Sequence, residues 1–224
     1  MSQTATMLPG SVQAAPSGAL GFDCNTVLTA TTAAAFATSG FTFAVRYLSR
    51  TSPQGSGNLT TAEAQTILQA GLALMAVQHV QAAGWVPSQA LGTQYGQAAA
   101  ANAQAVGLPP GINLWLDLEG VASGTAASTI IDYCNAWFAA VTVAGYVPGL
   151  YVGANSGLTS AQLYDDLTCQ YYWQSGSSVP QVAVRGYCMV QTISDAYVVD
   201  GVAYDKDVTK TDNLGNTPLW LAPV

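Results

Sequence analysis

The sequence predicts an α/β protein folded as a (β/α)8 TIM-type barrel with shortened helices in its C-terminal half. Three observations carry that expectation. Short apolar extended runs alternate with Ala-rich helical runs, the pattern of a parallel sheet with crossover helices. The extended runs are two-faced, and acids gather late in them, where barrel enzymes carry their sites. The 224 residues, 50% of them hydrophobic, suffice for one large core.

The elements follow in order. Residues 1–18 are rich in Ala, Ser and Pro and read as a loose N-terminal arm; the barrel is expected over 19–224. "ALGFDC" (19–24) reads as the first strand, and "TVLTATTAAAFATSG" (26–40) as a helix closed by Gly40. "FTFAVRYL" (41–48) is a strand with strict alternation. A loop over 49–58 leads to the helix 59–71, which opens with the capping box Thr60-x-x-Glu63 and ends at Gly71. Strand 72–80, helix 90–107, strand 112–119, helix 126–145, strand 147–153 and the short helix 159–167 continue the alternation. "CQYYWQ" (169–174) and "YCMVQ" (187–191) are strands with little room for a helix between them. Residues 197–208 are the last extended region, divided at Asp200-Gly201.

Composition excludes several function classes. Only five Lys and Arg stand against twelve Asp and Glu, for a net charge of −7. With no basic footprint to neutralise phosphates, a nucleic-acid partner is not expected. No stretch reads as transmembrane, and the N-terminus has neither a basic segment nor an apolar one for a secretory signal. The protein is therefore expected to be cytoplasmic before export, and secreted or delivered to the envelope by a route without a recognisable signal peptide. The four cysteines form no CxxC pair and read as buried free thiols, with Cys169–Cys188 the pair to consider if one disulfide forms. One histidine and no DxDxDG-type loop argue against a metal, and no cofactor is expected.

Candidate chemistry centres on "NLWLDLE" (113–119). In an extended strand Leu114, Leu116 and Leu118 point one way, and Asn113, Trp115, Asp117 and Glu119 the other. The two acids then stand roughly 7 Å apart on one face, from ~3.3 Å of rise per residue. Asp23 and Asp205 also fall late in strands, so a barrel would bring all four to one mouth. Crowded carboxyls in a partly apolar cleft repel, and one becomes a raised-pKa general acid. Glycosidic cleavage uses such a pair: one carboxyl protonates the leaving oxygen and the other activates water or stabilises the oxocarbenium-like centre. Tyr151 and Trp173, with Trp85 and Tyr171, could stack on sugar faces. His79 reads as a buried, hydrogen-bonded histidine or a substrate contact. On "FTFAVRYL" the alternation puts Phe43, Val45 and Tyr47 toward the helices and Arg46 into the lumen. There Arg46 either holds Asp23 or Glu119 ionised or forms a structural pair.

The segments "GFD" (21–23), "FAVRYL" (43–48), "LTTAEAQTILQAGLAL" (59–74), "WLDLEG" (115–120), "GLYVG" (149–153), "YYWQ" (171–174), "YCMVQ" (187–191) and "GVAYDKDV" (201–208) together resemble the DUF1906-type glycoside-hydrolase-like domains, relatives of the family 25 lysozymes. The resemblance implies a β/α barrel and hydrolysis of a cell-wall glycan such as peptidoglycan. It implies Asp23, Asp117, Glu119 and Asp205 as the catalytic acids, with Glu119 the proton donor. Asp207 and Asp200 compete with Asp205 for the last-strand position. Arg46, Tyr151, Trp173, Gln191 and His79 are the expected substrate contacts. The expected partner is a cell-wall glycan or another polysaccharide, with an export machinery or an immunity protein if the chain is a lysin or an antibacterial effector. The alternative is a non-catalytic carbohydrate-binding or structural barrel.

Overall fold

The computed structural model describes residues 6–224. In chain order its elements are β1 (Ser11–Ala14), β2 (Leu20–Asp23), α1 (Ala30–Thr38), β3 (Phe43–Leu48), α2 (Thr61–Gln69), β4 (Ala73–Gln78), α3 (Gln89–Val106), β5 (Asn113–Leu118), α4 (Ala127–Val143) and β6 (Val147–Val152). They continue with α5 (Ser160–Asp165), β7 (Tyr172–Gln174), β8 (Met189–Thr192), β9 (Val198–Val199), β10 (Val202–Ala203), β11 (Asp205–Thr209) and β12 (Leu219–Ala222). Strands β4, β3, β2, β11, β8, β7, β6 and β5 pair in that order, and β5 returns to β4, closing an eight-stranded barrel.

Local chemistry sets the helix starts. Thr29 caps α1 and Thr159 caps α5, each in a reciprocal capping box. Ser88 caps α3, and Gly107 closes that helix at φ 91°, a left-handed turn that favours glycine. Helix α3 lies close on α4 because Gly96 carries no side chain; a Cβ there would come within 2.7 Å of the Trp137 carbonyl oxygen.

Two apolar layers hold the barrel. Outside the strands, Phe22, Ala44, Leu74, Leu114, Leu116, Leu150 and Tyr172 pack beneath the helices. Inside, Phe43, Val45, Met75, Val77, Trp115, Trp173 and Met189 fill the lumen. This inverts the expected faces of β3: Phe43, Val45 and Tyr47 point inward and Arg46 points outward. Barrel strands are buried on both sides, so alternation separates the two faces without saying which is inner.

Three further expectations change. β11 runs antiparallel to both β2 and β8. A parallel return needs a crossover of a dozen or more residues, usually a helix, whereas the chain after β8 forms the β9–β10 hairpin and turns straight back. Of the shortened helices expected in the C-terminal half only α5 forms: loop follows β7, where little room for a helix was expected, and the β9–β10 hairpin follows β8. Of the arm expected at 1–18, residues 1–5 lie outside the described residues, and Ser11–Ala14 pair with β12. β12 in turn joins β4 at Leu221–Leu74. Trp220 turns into the lumen and meets Phe43 at 5.5 Å between ring centroids, and Asn113 Oδ1 accepts the Leu219 N–H at 2.6 Å. The chain's two end segments thus floor the barrel and leave the opposite mouth open. The cysteines are free and buried, with Cys169 in the outer layer and Cys188 in the lumen.

Candidate active site

The mouth at the C-terminal ends of the parallel strands collects the acids. β2 ends at Asp23, β5 delivers Asp117 and then Glu119, and β11, entering from the opposite direction, starts at Asp205 opposite Asp23 in register. A cleft of about 180 Å³ is lined by Tyr47, Val77, Asp117, Glu119, Tyr151, Trp173, Gln191, Ile193 and Asp205. Asp23 does not line this cleft; it opens onto the neighbouring hollow with Asn25, Tyr197 and Tyr204, which shares Tyr47 and Asp205 with the cleft.

Asp23 is held from two sides. Tyr47 donates its hydroxyl to Oδ1 at 2.9 Å, and Gln191 Nε2 donates to Oδ2 at 2.7 Å. The Gln191 amide is oriented by donors on its other end, where Oε1 accepts the Tyr151 hydroxyl at 2.9 Å and the Gly176 N–H at 3.2 Å. A backbone N–H can only donate, so the oxygen faces Gly176 and the NH2 faces the acids. The same nitrogen reaches Asp205 Oδ2 at 3.4 Å. Burial nevertheless pushes the Asp23 carboxyl up to about 6, opposed by its bond from Gln191 and reinforced by the charge of Asp205.

Asp117 sits deepest of the β5 pair, 7% exposed, and its Oδ1 has no hydrogen-bond partner. Burial, then the charges of Glu119 and Asp23, hold its carboxyl well above the usual range. Glu119 is half-buried and faces the cleft, and burial raises its pKa as well. Its position is made by its surroundings. Trp85 Nε1 donates to the Glu119 carbonyl at 2.8 Å, and Gly153 leaves room for its side chain: a Cβ on Gly153 would overlap Glu119 Cβ and lie 2.8 Å from Oε2. Two protonatable carboxyls of unequal exposure on one strand face can titrate as a pair, the outer one exchanging its proton with a ligand.

The remaining predicted residues divide. Tyr151, Trp173 and Gln191 line the cleft, and Trp173 packs edge-on against Tyr151 at 4.6 Å. Trp173 is 1% exposed and donates from Nε1 to Asp207 Oδ1 at 3.0 Å, so it supports the site from below and offers no open ring face. His79 lies outside the cleft, stacked on Tyr47 at 4.4 Å, in an adjoining pocket. Arg46 does not reach the site: it is fully buried behind β3, where Nε meets Glu63 Oε1 at 2.6 Å and a terminal nitrogen donates to the Cys24 carbonyl. The lumen placement of Arg46 is therefore corrected to a structural pair. It also diverts Glu63, whose Oε1 accepts the Leu28 N–H at 2.9 Å, leaving Thr60 to cap α2 alone. Trp85 is buried against Tyr133 and serves Glu119's backbone. Asp200 occupies the exposed β9–β10 turn, away from the cleft.

Asp207 and Tyr47 are the site residues that strand reading placed poorly. Asp207 is fully buried one step below Asp205 on the same face of β11, with Oδ2 unpartnered and its carboxyl held well above the usual range by burial and by Asp23. Its i, i+2 spacing from Asp205 was the available signal. Tyr47 was hidden by the inverted face of β3.

The model of the Rv2525c-like, glycoside hydrolase-like domain family matches residues 34–210. No curated protein matches the chain. Among solved structures, the Tat-secreted protein Rv2525c of Mycobacterium tuberculosis, in complex with L-tartrate, is similar at a TM-score of 0.64 and 18% identity, over 86% of this chain and 95% of that one. The catalytic domain of the endolysin ply40, from a bacteriophage of Listeria monocytogenes, gives a TM-score of 0.58 at 16% identity, over 86% and 93%. The Clostridium perfringens spore cortex lytic enzyme SleM gives 0.60 at 14%, over 88% and 68%. At these identities the likeness is one of fold.

Proposed function

The chain belongs to the Rv2525c-like, glycoside hydrolase-like domain family, and from that premise we propose that it hydrolyses a bacterial cell-wall glycan, peptidoglycan, by carboxylate acid/base chemistry. The observation that carries this reading is the acid mouth: Asp117, Glu119 and Asp205 line one cleft, and two of its lining residues, Tyr47 and Gln191, bond Asp23 in the adjoining hollow.

The roles follow from exposure and bonding. Glu119, reaching the cleft with a raised pKa, holds the proton delivered to the leaving glycosidic oxygen. Asp23, fixed by two donors, is the oriented carboxylate that activates water or stabilises positive charge at the sugar carbon. Asp117, buried behind Glu119 with its carboxyl held well above the usual range, is the inner member of the β5 pair and tunes Glu119. Asp205, at the rim and bridged by Gln191, positions substrate or water. Fold neighbours include an endolysin catalytic domain and a spore cortex lytic enzyme, and a further one is Tat-secreted. This supports a role at the cell envelope, as a lysin or an antibacterial effector.

Incubation with purified peptidoglycan and mass analysis of the soluble products tests the proposal. Release of glycan fragments by the wild type, absent with Glu119→Gln, is expected. Retention of glycan without cleavage would support a carbohydrate-binding barrel instead.

A further inference from the structure

Beside the acid mouth lies a second hollow of about 390 Å³, lined by Ser49, Arg50, Thr51, His79, Val80 and Tyr95. It adjoins the cleft through one aromatic stack, His79 on Tyr47, and Tyr47 is the residue that donates to Asp23. A ligand lying across the mouth therefore reaches the hollow by crossing that stack.

Its chemistry is opposite to that of the cleft. The chain has five Lys and Arg. Arg46 and Arg185 are locked with Glu63 and Asp212 at 2.6 and 2.7 Å, and Lys206 lies over the Tyr197 ring. Among the described residues those are the two ion pairs, so Arg50 enters neither. It is half-buried in a concave wall, its five donors unmatched by an acid. Neutral donors surround it. Tyr95 accepts from Gln81 at 3.0 Å and keeps its own hydroxyl proton to give, and Ser49 and Thr51 present hydroxyls 3.3 Å apart. Burial and the nearby Arg46 and Arg50 lower the His79 pKa, so near pH 7 its ring is neutral and Arg50 is the charge of the hollow. A guanidinium fork amid neutral donors fits a planar carboxylate.

We propose that the hollow around Arg50 is an anion subsite that binds a carboxylate carried by the glycan held across the acid mouth. The inference rests on the glycan reading of the mouth and names the substrate class as an acidic glycan. Its function is also electrostatic: a mouth of acids repels an anionic polymer, and Arg50 supplies attraction at one end, fixing which way the chain lies. The carboxylate belongs either to a substituent of the sugar or to an attached peptide.

The test is fluorescence titration of the full chain with solubilised peptidoglycan fragments, native and carboxyl-reduced, at low salt. The expected result is that wild type binds native fragments about tenfold more tightly than reduced ones, at the low end of what a charge-assisted hydrogen bond contributes. Arg50→Gln binds both as weakly as wild type binds the reduced ones. Fragments stripped of peptides distinguish the sources. A preference that persists assigns the sugar's own carboxylate, and one that disappears assigns the peptide's. Equal affinity of wild type for native and reduced fragments, no binding at all, or a preference retained in Arg50→Gln overturns the subsite. Products are followed by mass in the same samples. Discrimination through Arg50 without cleavage would overturn the hydrolase reading while leaving the subsite standing.

Discussion

Gln191 joins two acids that arrive from opposite directions: its Nε2 lies 2.7 Å from Asp23 Oδ2 on β2 and 3.4 Å from Asp205 Oδ2 on β11. The antiparallel last strand makes this possible, since β11 begins at the mouth where a parallel strand would end. The amide takes the place of a cation, stabilising nearby negative charge without neutralising it.

Gln191→Leu removes the donor and leaves Asp23 buried with Tyr47 alone. Loss of a hydrogen bond to a charged group is worth ~1.5–3 kcal/mol. The expected consequence is a fall in kcat of roughly 10–100-fold. The Asp23 pKa rises at the same time, so the acid limb of the kcat–pH profile moves upward. A profile that keeps its acid limb would separate Gln191 from the ionisation of Asp23.

The Arg46–Glu63 pair behind β3 is expected to matter for stability alone. Arg46→Met strands a buried carboxylate that also receives Leu28 N–H. Breaking such a pair costs ~3–5 kcal/mol. For a chain of this size that lowers Tm by roughly 6–20 °C. Thermal melts measure it, and at low temperature glycan turnover per folded molecule should match the wild type. A selective rise in KM would return Arg46 to the substrate.

Much of this was legible in the sequence, and the misses have physical causes. Strand and helix order came through because Ala-rich runs with Thr and Ser caps differ sharply from Val- and Leu-rich strands. The acids on β5 came through because Leu114, Leu116 and Leu118 define its outer face unambiguously. β3 misled because Phe43 and Val45 fill the lumen while Arg46, the polar residue, is neutralised under a helix. The direction of β11 was illegible because alternation is the same read either way. Closure of the floor by β1 and β12 depends on a pairing between the two ends of the chain, which no local pattern encodes.

Stability should decline as pH rises from about 4 through 6. The Asp23 carboxyl is raised from 3.8 to about 6 in the fold by burial. Below pH 4 the native and unfolded states are both protonated, and the contribution is fully present. Above it the unfolded chain releases its proton first, and the native state loses on the order of 3 kcal/mol by pH 7, at 1.36 kcal/mol per pKa unit. Asp117 and Asp207, also raised, act in the same direction. Urea midpoints from pH 4 to 8 should therefore fall. Asp207→Asn, which keeps the acceptor for Trp173 Nε1 and cannot ionise, should flatten the slope and be more stable than the wild type at pH 8. Parallel slopes for wild type and variant would exclude Asp207 as a source.

The last prediction concerns Glu119 and the glycine that makes room for it. Glu119→Gln keeps the size of the side chain and removes the transferable proton. General acid help is worth roughly 10²–10⁴-fold, so kcat should fall by that range with Tm unchanged to within about 2 °C. Gly153→Ala tests the same residue from outside. Its added methyl would overlap Glu119 Cβ and press toward Oε2, pushing the carboxyl from its place at the mouth. Because Gly153 follows β6 and bears no catalytic group, its effect can act only through position. A displaced acid still carries its proton, so the variant should keep a bell-shaped pH profile with a lowered maximum, whereas Glu119→Gln should lose the basic limb. Glycan turnover measured for both across pH 4–8 distinguishes the two patterns. Gly153→Ala with full activity would mean that Glu119 has slack in the cleft, and the proton donor would then have to be sought at Asp205, the other half-buried acid that lines it.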